Sequence, residues 1–119
     1  MSTATSFDLS AFTRATEARD ADGQLAAYAD DAELRTVDAA HGPSEPDVRR
    51  GRDAIGALLH DVCERPMTHQ VTDAVQAGDR VAFQVACRYD DGTRVLASTV
   101  ARLRDGRIAE QTTVQAWDV

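Results

Sequence analysis

The chain of 119 residues is 43% hydrophobic and 28% charged, values typical of one soluble globular domain. Its net charge of −7 argues against a nucleic-acid or membrane-surface partner, because both require a concentrated positive field. No apolar stretch is long enough to span a bilayer and the N-terminus lacks the pattern of a signal peptide, so the expected location is cytoplasmic.

Several residue types and motifs that carry catalysis in other proteins are missing. All 13 cationic residues are arginines, so no lysine can form a Schiff base. The chain has no G-x-S-x-G, G-x-G-x-x-G, H-E-x-x-H or P-loop motif, which disfavours serine hydrolases, nucleotide-driven enzymes and zinc proteases. Cys63 and Cys87 are too far apart for a zinc knuckle or redox pair, so we expect reduced thiols and no metal or organic cofactor.

The N-terminal segment predicts a first helix. Residues 1–7 form a short start that we expect to be flexible. Asp8 or Ser10 can cap a helix that runs to about Arg19, with Phe12 on its apolar stripe.

The next elements alternate between helix and strand. Residues 24–29 predict a short second helix that carries Tyr28 inward, and residues 33–39 predict a strand. Two prolines and two glycines mark residues 41–51 as a loop. Apolar residues at helical spacing predict a third, amphipathic helix over residues 52–63.

The rest of the chain has the sequence pattern of β-strands. Segments 67–76, 80–89, 94–104 and 107–118 are rich in β-forming residues and are separated by the turn sequences AGD, DDGT and DG. Helices followed by consecutive hairpins predict an α+β fold, in which the helices cover one face of a curved antiparallel sheet. We find no second domain and assign residues 1–119 to a single one.

The last predicted strand has an unusual polar face. Strand alternation places Gln111, Thr113, Gln115 and Trp117 on one side and Thr112, Val114 and Ala116 on the other. Neither row is the apolar row of a strand that only covers a core. The polar row, which ends in the only tryptophan, therefore faces either water or a ligand.

The element order, together with the phrases AAYADDAEL, RGRDAIGALL, AGDRVAFQV and RDGRIAEQTTVQAWD, resembles the nuclear transport factor two-like superfamily. The resemblance covers residues 7–118, and the most similar branch is the SnoaL-like polyketide cyclases, with ketosteroid isomerase and limonene epoxide hydrolase as relatives. It implies a cone-shaped curved antiparallel sheet wrapped around three N-terminal helices, a cystatin-like or ketosteroid-isomerase-like α+β barrel. It also implies a deep apolar cavity, and in many members a homodimer through the outer sheet face.

The acid and base positions of these relatives are substituted in this chain. The position of the isomerase base corresponds to Thr36, that of its first-helix tyrosine to Phe12, and its neutral aspartic acid falls near Thr99. The histidine and aspartate of the cyclases correspond to Gln111 and Thr113. Function must therefore come from other cavity residues.

Two residues are our candidates for proton transfer. Asp38 lies two residues beyond Thr36 on the same predicted strand face, and a carboxylate in an apolar cone has a raised pKa that suits acid–base catalysis. The alternative is a solvated carboxylate at the strand end. His69 starts the first long strand and can exchange protons near neutral pH, whereas the alternative is a histidine bonded to a backbone carbonyl.

A larger set of residues is predicted to bind the substrate. These residues are Phe12, Tyr28, Thr36, Phe83, Cys87, Tyr89, Thr99, Gln111, Thr113, Gln115 and Trp117. Ordinary core packing is the alternative for both tyrosines.

Three functions stay open from the sequence, of which the third, after the two described next, is a bare dimerisation module whose cavity is filled by its own side chains. The first is a cofactor-independent acid–base enzyme of the isomerase, cyclase, dehydratase or epoxide hydrolase type, acting on a hydrophobic oxygenated molecule such as a polyketide, terpenoid or steroid-like metabolite. The second is a non-catalytic ligand-binding or accessory dimeric protein, which the substituted catalytic positions favour. Both use the same polar cavity wall.

Overall fold

The computed structural model describes residues 6–118. In chain order its elements are α1 (Leu9–Glu17), α2 (Ala21–Leu25), β1 (Tyr28–Val37), β2 (Asp47–Arg50), α3 (Gly51–Glu64), β3 (Met67–Ala77), β4 (Arg80–Tyr89), β5 (Arg94–Arg104) and β6 (Arg107–Trp117). The predicted α+β class is confirmed, and so is the run of four strands after the third helix. No helix within residues 6–118 is long and apolar enough to cross a membrane.

The ordered core begins earlier than the sequence indicated. Of the predicted flexible start, residues 1–7, residues 1–5 lie outside the described part of the chain. Phe7, by contrast, is buried, and its ring centroid lies 5.6 Å from that of Phe12. The side chain of Asp8 caps α1, as predicted. Phe7 therefore belongs to the core rather than to a flexible segment.

The second helix lies earlier in the chain than the predicted range 24–29. The Asp20 side chain accepts a hydrogen bond of 2.9 Å from the Gly23 backbone amide, which starts α2 one turn sooner. Tyr28 is then free to begin β1, where it pairs with Ile108 on β6. The placement of Tyr28 on a helix was wrong, but its inward direction is confirmed because the residue is 1% exposed.

The predicted loop 41–51 contains a strand. β2 pairs antiparallel with β1, with Arg50 opposite Glu33, and their side chains form a salt bridge of 2.8 Å. β1 itself runs from Tyr28 to Val37 instead of over residues 33–39. The open edge of β1 supplies hydrogen-bonding groups that a local loop prediction does not consider.

The sheet has six strands in the order β2-β1-β6-β5-β4-β3. All neighbours are antiparallel except β1 and β6, which run parallel, so the sheet is mixed and unclosed rather than wholly antiparallel. The helices pack on its concave face around a core that includes Phe12, Tyr28, Ile55 and Ile108. This cone-like arrangement of helices over a curved sheet confirms the expected architecture.

Candidate functional site

A cavity of about 140 Å³ lies between the helices and the concave face of the sheet. It is lined by most residues of the predicted site: Phe12, Tyr28, His69, Phe83, Cys87, Tyr89, Thr99, Gln111, Thr113, Gln115 and Trp117. The strand alternation explains this result, because the odd-numbered residues of β4 and β5, and those of β6 from Gln111 onward, face the helices. Larger depressions exist on the outer sheet surface, and one of them, of about 320 Å³, is lined by charged side chains such as Arg80, Arg102 and Glu110.

Thr36 and Asp38 do not line this cavity, so their predicted place in it is wrong. On β1 the residue that reaches the cavity is Leu34, which is 4% exposed. β1 ends at Val37, and Asp38 begins a turn in which its carboxylate accepts hydrogen bonds of 2.8 and 2.9 Å from two backbone amides. The carboxylate also lies 3.1 Å from the His41 ring.

The environment of Asp38 also differs from that of a catalytic base. Partial burial alone would raise its pKa, but the hydrogen bonds from the His41 side chain and from the backbone amides of His41 and Ala40 together lower it. The carboxylate is therefore ionised at neutral pH and stabilises the turn. The solvated strand-end alternative fits its position better than the cavity role.

A continuous hydrogen-bonded chain forms one wall of the cavity. The Tyr28 hydroxyl donates to Gln111 Oε1 at 2.7 Å, and Gln111 Nε2 donates to Thr113 Oγ1 at 3.2 Å. Thr113 lies opposite Thr99 in the register of β5 and β6, and the two hydroxyl oxygens are 2.9 Å apart. These buried polar groups thus satisfy one another, as buried groups generally must.

The protonation state of Tyr28 is fixed by its surroundings. Complete burial raises the pKa of Tyr28 far above the ordinary tyrosine value, and the bond to Gln111 only partly opposes this effect. The hydroxyl therefore stays protonated and acts as a donor. Its bond orients the Gln111 amide, which leaves Nε2 directed along the wall.

The wall has two free donor hydrogens to offer a ligand. Gln111 Nε2 carries two hydrogens, of which one is used by Thr113. Between Thr99 and Thr113 one hydroxyl donates to the other, and the second hydroxyl hydrogen has no partner among the described residues. The wall therefore suits a ligand oxygen that accepts hydrogen bonds, such as a carbonyl oxygen.

His69 lines the cavity and has one ring nitrogen without a hydrogen-bond partner. Its Nδ1 lies 3.3 Å from the Thr16 carbonyl oxygen, which can only accept, so the hydrogen resides on Nδ1 and the lone pair on Nε2. Nε2 is the only buried side-chain N or O atom of residues 6–118 that lacks a hydrogen-bond partner. The backbone-bonded alternative is thus realised at one nitrogen, while the other stays available as a base.

The ring of His69 is neutral at physiological pH. Burial lowers its pKa below the ordinary histidine value, the bond to Thr16 raises it in part, and nearby Arg19 lowers it further. Cys87 lies opposite His69 in the register of β3 and β4, and burial raises the pKa of its thiol. Cys87 is therefore a protonated, packed side chain, as expected, and not an activated nucleophile.

The open end of the cavity is formed by aromatic and polar side chains. The ring centroids of Tyr89 and Trp117 are 5.8 Å apart, and Trp117 Nε1 donates to Gln115 Oε1 at 3.1 Å. Arg65 Nη1 donates to the Tyr89 hydroxyl at 3.4 Å. We refer to Arg65, Tyr89 and Trp117 as the mouth of the cavity.

Several lining residues were missed from the sequence. Thr16, Gln24, Leu34, Leu59, Val62, Arg65, Met67, Val95 and Ala97 also contact the cavity. Helical spacing had placed Leu59 and Val62 on the inner side of the third helix, but Arg65 follows the last helical turn and carries no periodic signal. Within residues 6–118 no group of three or more His, Cys, Asp or Glu side chains could hold a metal ion.

Comparisons with known proteins agree with this architecture. The SnoaL-like domain family matches residues 9–111. An NTF2-like protein of unknown function from Mesorhizobium loti is 20% identical with a TM-score of 0.76, over 88% of this chain and 84% of that chain. A candidate ketosteroid isomerase from Kribbella flavida is 18% identical with a TM-score of 0.72, over 92% and 74% respectively. No curated protein matches the sequence.

Proposed function

We propose that this chain, which belongs to the SnoaL-like domain family, is a cofactor-independent acid–base enzyme for a small carbonyl compound. The fold supports the isomerase and cyclase classes in general terms, because it is shared with ketosteroid-isomerase-like structures. The specific assignment depends on the cavity residues.

The unpaired, buried Nε2 atom of His69 is the observation that carries the proposal. A buried acceptor without a partner costs free energy, so it requires an explanation such as a catalytic role. His69 and the wall of Gln111, Thr99 and Thr113, with its two free donor hydrogens, line the same cavity. A ligand in that cavity meets a base and an oxyanion-stabilising wall together.

The chemistry is a proton transfer next to a carbonyl group. His69 Nε2 removes a proton from the carbon beside the ligand carbonyl, and the electron pair moves to the carbonyl oxygen as an enolate. The free hydrogens of Gln111 and of the threonine pair stabilise that oxygen. The imidazolium then returns the proton to carbon, and a different acceptor carbon gives an isomer.

The volume of the cavity limits the size of the substrate. At about 140 Å³ it resembles a cavity of roughly 150 Å³ that binds benzene. The reacting part of the substrate is therefore one ring or a short branched chain, and a polycyclic polyketide or steroid would extend through the mouth. Monocyclic terpenoid-like and aromatic ketones match the apolar lining of Phe12, Phe83 and Val85.

Hydrogen–deuterium exchange of ketone probes tests the base. Cyclohexanone and acetophenone are incubated with the protein in D₂O, and loss of the protons next to the carbonyl is followed by NMR. We expect the wild type to accelerate exchange above an equal concentration of free imidazole, and His69→Ala to lose about a hundredfold or more of that acceleration.

His60→Ala is the matched control, because His60 lies on α3 with an exposed side chain that pairs with Asp22 at 3.0 Å. This variant should keep the wild-type exchange rate. Equal loss in both variants, or no acceleration by the wild type, would contradict the proposal.

A non-catalytic binding protein is the second candidate function. It is favoured by the mutual hydrogen bonds of Tyr28, Gln111 and the threonine pair, which make the wall stable without a ligand. It is also favoured by the absence of a carboxylate among the described lining residues. Ketone binding without His69-dependent exchange would support this candidate.

A further inference from the structure

We propose that the natural ligand carries a carboxylate, and that Arg65 and the Tyr89 hydroxyl bind this carboxylate at the mouth of the cavity. This inference deepens the proposed function and rests on it for the use of the cavity by a small carbonyl compound. The substrate class is then a small keto acid, or an aromatic or cyclic acid, whose carbonyl faces the polar wall.

The charge of the lining residues is the first observation. Arg65 is the only charged side chain among the described residues that line the cavity, apart from the neutral ring of His69. The chain as a whole has a net charge of −7, so a cavity lining whose charged side chain is a cation differs in sign from the rest of the protein. A cation beside an apolar cavity whose described lining residues include no carboxylate favours an anionic ligand group.

The free hydrogen-bond donors are the second observation. The Arg65 guanidinium uses Nη1 for the Tyr89 hydroxyl and Nη2 for Asp61 at 2.6 Å, which leaves three of its five N–H groups unused. The Tyr89 oxygen accepts from Arg65, so its own hydrogen points elsewhere, and it has no acceptor within residues 6–118. An Arg N–H and a Tyr O–H side by side match the two oxygens of a carboxylate.

A second arginine strengthens the positive field near this end of the cavity. Arg19 donates to the backbone oxygens of Arg65 and Met67 at 3.1 and 3.0 Å, and so holds the segment that enters β3. Arg19 forms no salt bridge with any residue of the described range 6–118. Its charge is close enough to lower the pKa of His69.

Asp61 is the competing partner of Arg65. The two residues form an i,i+4 pair on the last turns of α3, with side chains that are 60% and 39% exposed respectively. Exposed pairs of this kind contribute little to stability, so a carboxylate ligand can displace or share the contact. A helix-surface pair alone would explain the Asp61 contact, but not the additional bond to Tyr89 in the mouth.

A pair of probes of matched shape tests the proposal. 4-Acetylbenzoate and 4-acetylbenzamide present the same ketone, but only the first carries a charge. Binding is measured at low ionic strength by the fluorescence of Trp117, the only tryptophan of the chain, which lines the mouth. We expect the wild type to bind the benzoate about tenfold more tightly than the benzamide.

Substitutions at the mouth should change this preference in opposite directions. Arg65→Gln should reduce the ratio of the two dissociation constants to about one, and Asp61→Asn should increase it, because the competing carboxylate is removed. Arg65→Lys should restore part of the preference. Arg14→Gln, which removes one positive charge from the exposed surface of α1, is the matched control and should leave the ratio unchanged. Thermal unfolding of each variant verifies that it is folded.

The outcomes separate this inference from the proposed function. Equal binding of both probes by the wild type, no binding up to millimolar concentration, or an unchanged ratio in Arg65→Gln would overturn the inference. Ketone exchange that depends on His69 could still be observed in that case, and the proposed function would stand. Conversely, an Arg65-dependent carboxylate preference without exchange would support the inference and remove the enzyme assignment.

Discussion

At the residue scale, His69 combines two features that are rarely found together, an orienting hydrogen bond and an unpaired buried nitrogen. The bond from Nδ1 to the Thr16 carbonyl selects the tautomer, and burial keeps the ring neutral. A general base needs both features, because a protonated or misoriented ring cannot accept a proton from the substrate.

The lowered pKa of His69 predicts a specific pH dependence of stability. The unfolded chain binds a proton at this residue near pH 6.5, whereas the folded chain does so only at lower pH. The stabilisation is therefore complete above about pH 6.5 and decreases as the pH falls toward the folded pKa. The carboxylates with lowered pKa, Glu33, Asp38 and Asp91, titrate below the ordinary values of 4.5 for glutamate and 3.8 for aspartate, and so below this range.

Denaturant unfolding at pH 7.5 and pH 5.5 measures this effect. The wild type should lose more stability between these values than His69→Gln, and the NMR titration of the His69 ring should have a midpoint below 6.5. A midpoint above 6.5 would show that the ring gains a stabilising partner on protonation, which is inconsistent with the role of a neutral base.

The predictability of the site also differs from residue to residue. The alternation of β6 grouped Gln111, Thr113 and Gln115 on one face, and the family resemblance then indicated that this face lines the cavity, since a period of two leaves only two choices of face. Asp38 was misplaced because its position depends on where β1 ends, and a turn stabilised by its own carboxylate ends it. Arg65 follows no sequence pattern, because its place at the mouth depends on Tyr89, which is 24 residues away in the chain.

At the element scale, the third helix and the last four strands follow from local signals, and the remaining elements depend on tertiary contacts. The spacing of apolar residues predicted α3, and the DG turns predicted the hairpins of β4, β5 and β6. β2 and the parallel pairing of β1 with β6 form between segments far apart in sequence. The spacing of apolar residues within a short stretch of sequence cannot reveal pairings between separate segments.

The close packing at the start of α2 predicts the effect of a small substitution. A Cβ atom at Gly23 would lie 2.5 Å from the Asp20 Oδ2 atom and 3.1 Å from the Ala15 Cβ atom. Gly23→Ala must therefore displace the capping carboxylate, and we expect it to destabilise the fold by about 1 kcal/mol despite the better helix propensity of alanine.

A double-mutant cycle isolates the cause of this destabilisation. In the Asp20→Ala background the clash with the carboxylate is gone and the 3.1 Å approach to Ala15 remains, so the same glycine substitution should be less destabilising there. Chemical denaturation of the four proteins measures the coupling. A stabilising effect of Gly23→Ala in the wild type would show that the cap bond contributes less than we infer.

At the scale of the whole molecule, the outer face of the sheet is more apolar than a solvated surface requires. Leu96, Val100 and Val114 are 43%, 56% and 50% exposed, and they lie on the face opposite the cavity. We propose that a second copy of the chain covers this face, as the family resemblance implies.

A row of charges across the same face supports a symmetric partner. The strand register places Arg80 beside Arg102, Arg102 beside Glu110, and Glu110 beside Glu33. In a two-fold symmetric dimer the same patch meets itself in the reverse direction, so the arginine pair of one copy can face the glutamate pair of the other. The neighbouring arginines Arg80 and Arg102, which repel each other within the monomer, would thereby gain opposite partners.

A charged substitution on this face tests the dimer. Val100→Arg places a cation in the centre of the apolar patch without entering the core, and we expect it to convert a dimer into a monomer with a mass near 12.9 kDa in size-exclusion chromatography with light scattering. Ala57→Arg introduces the same side chain on the exposed surface of α3 and should stay dimeric. A monomeric wild type at micromolar concentration would contradict the proposal.

Because Val100 does not line the cavity, loss of ketone exchange in the Val100→Arg monomer would further indicate that dimerisation holds the sheet in the curvature that the cavity requires.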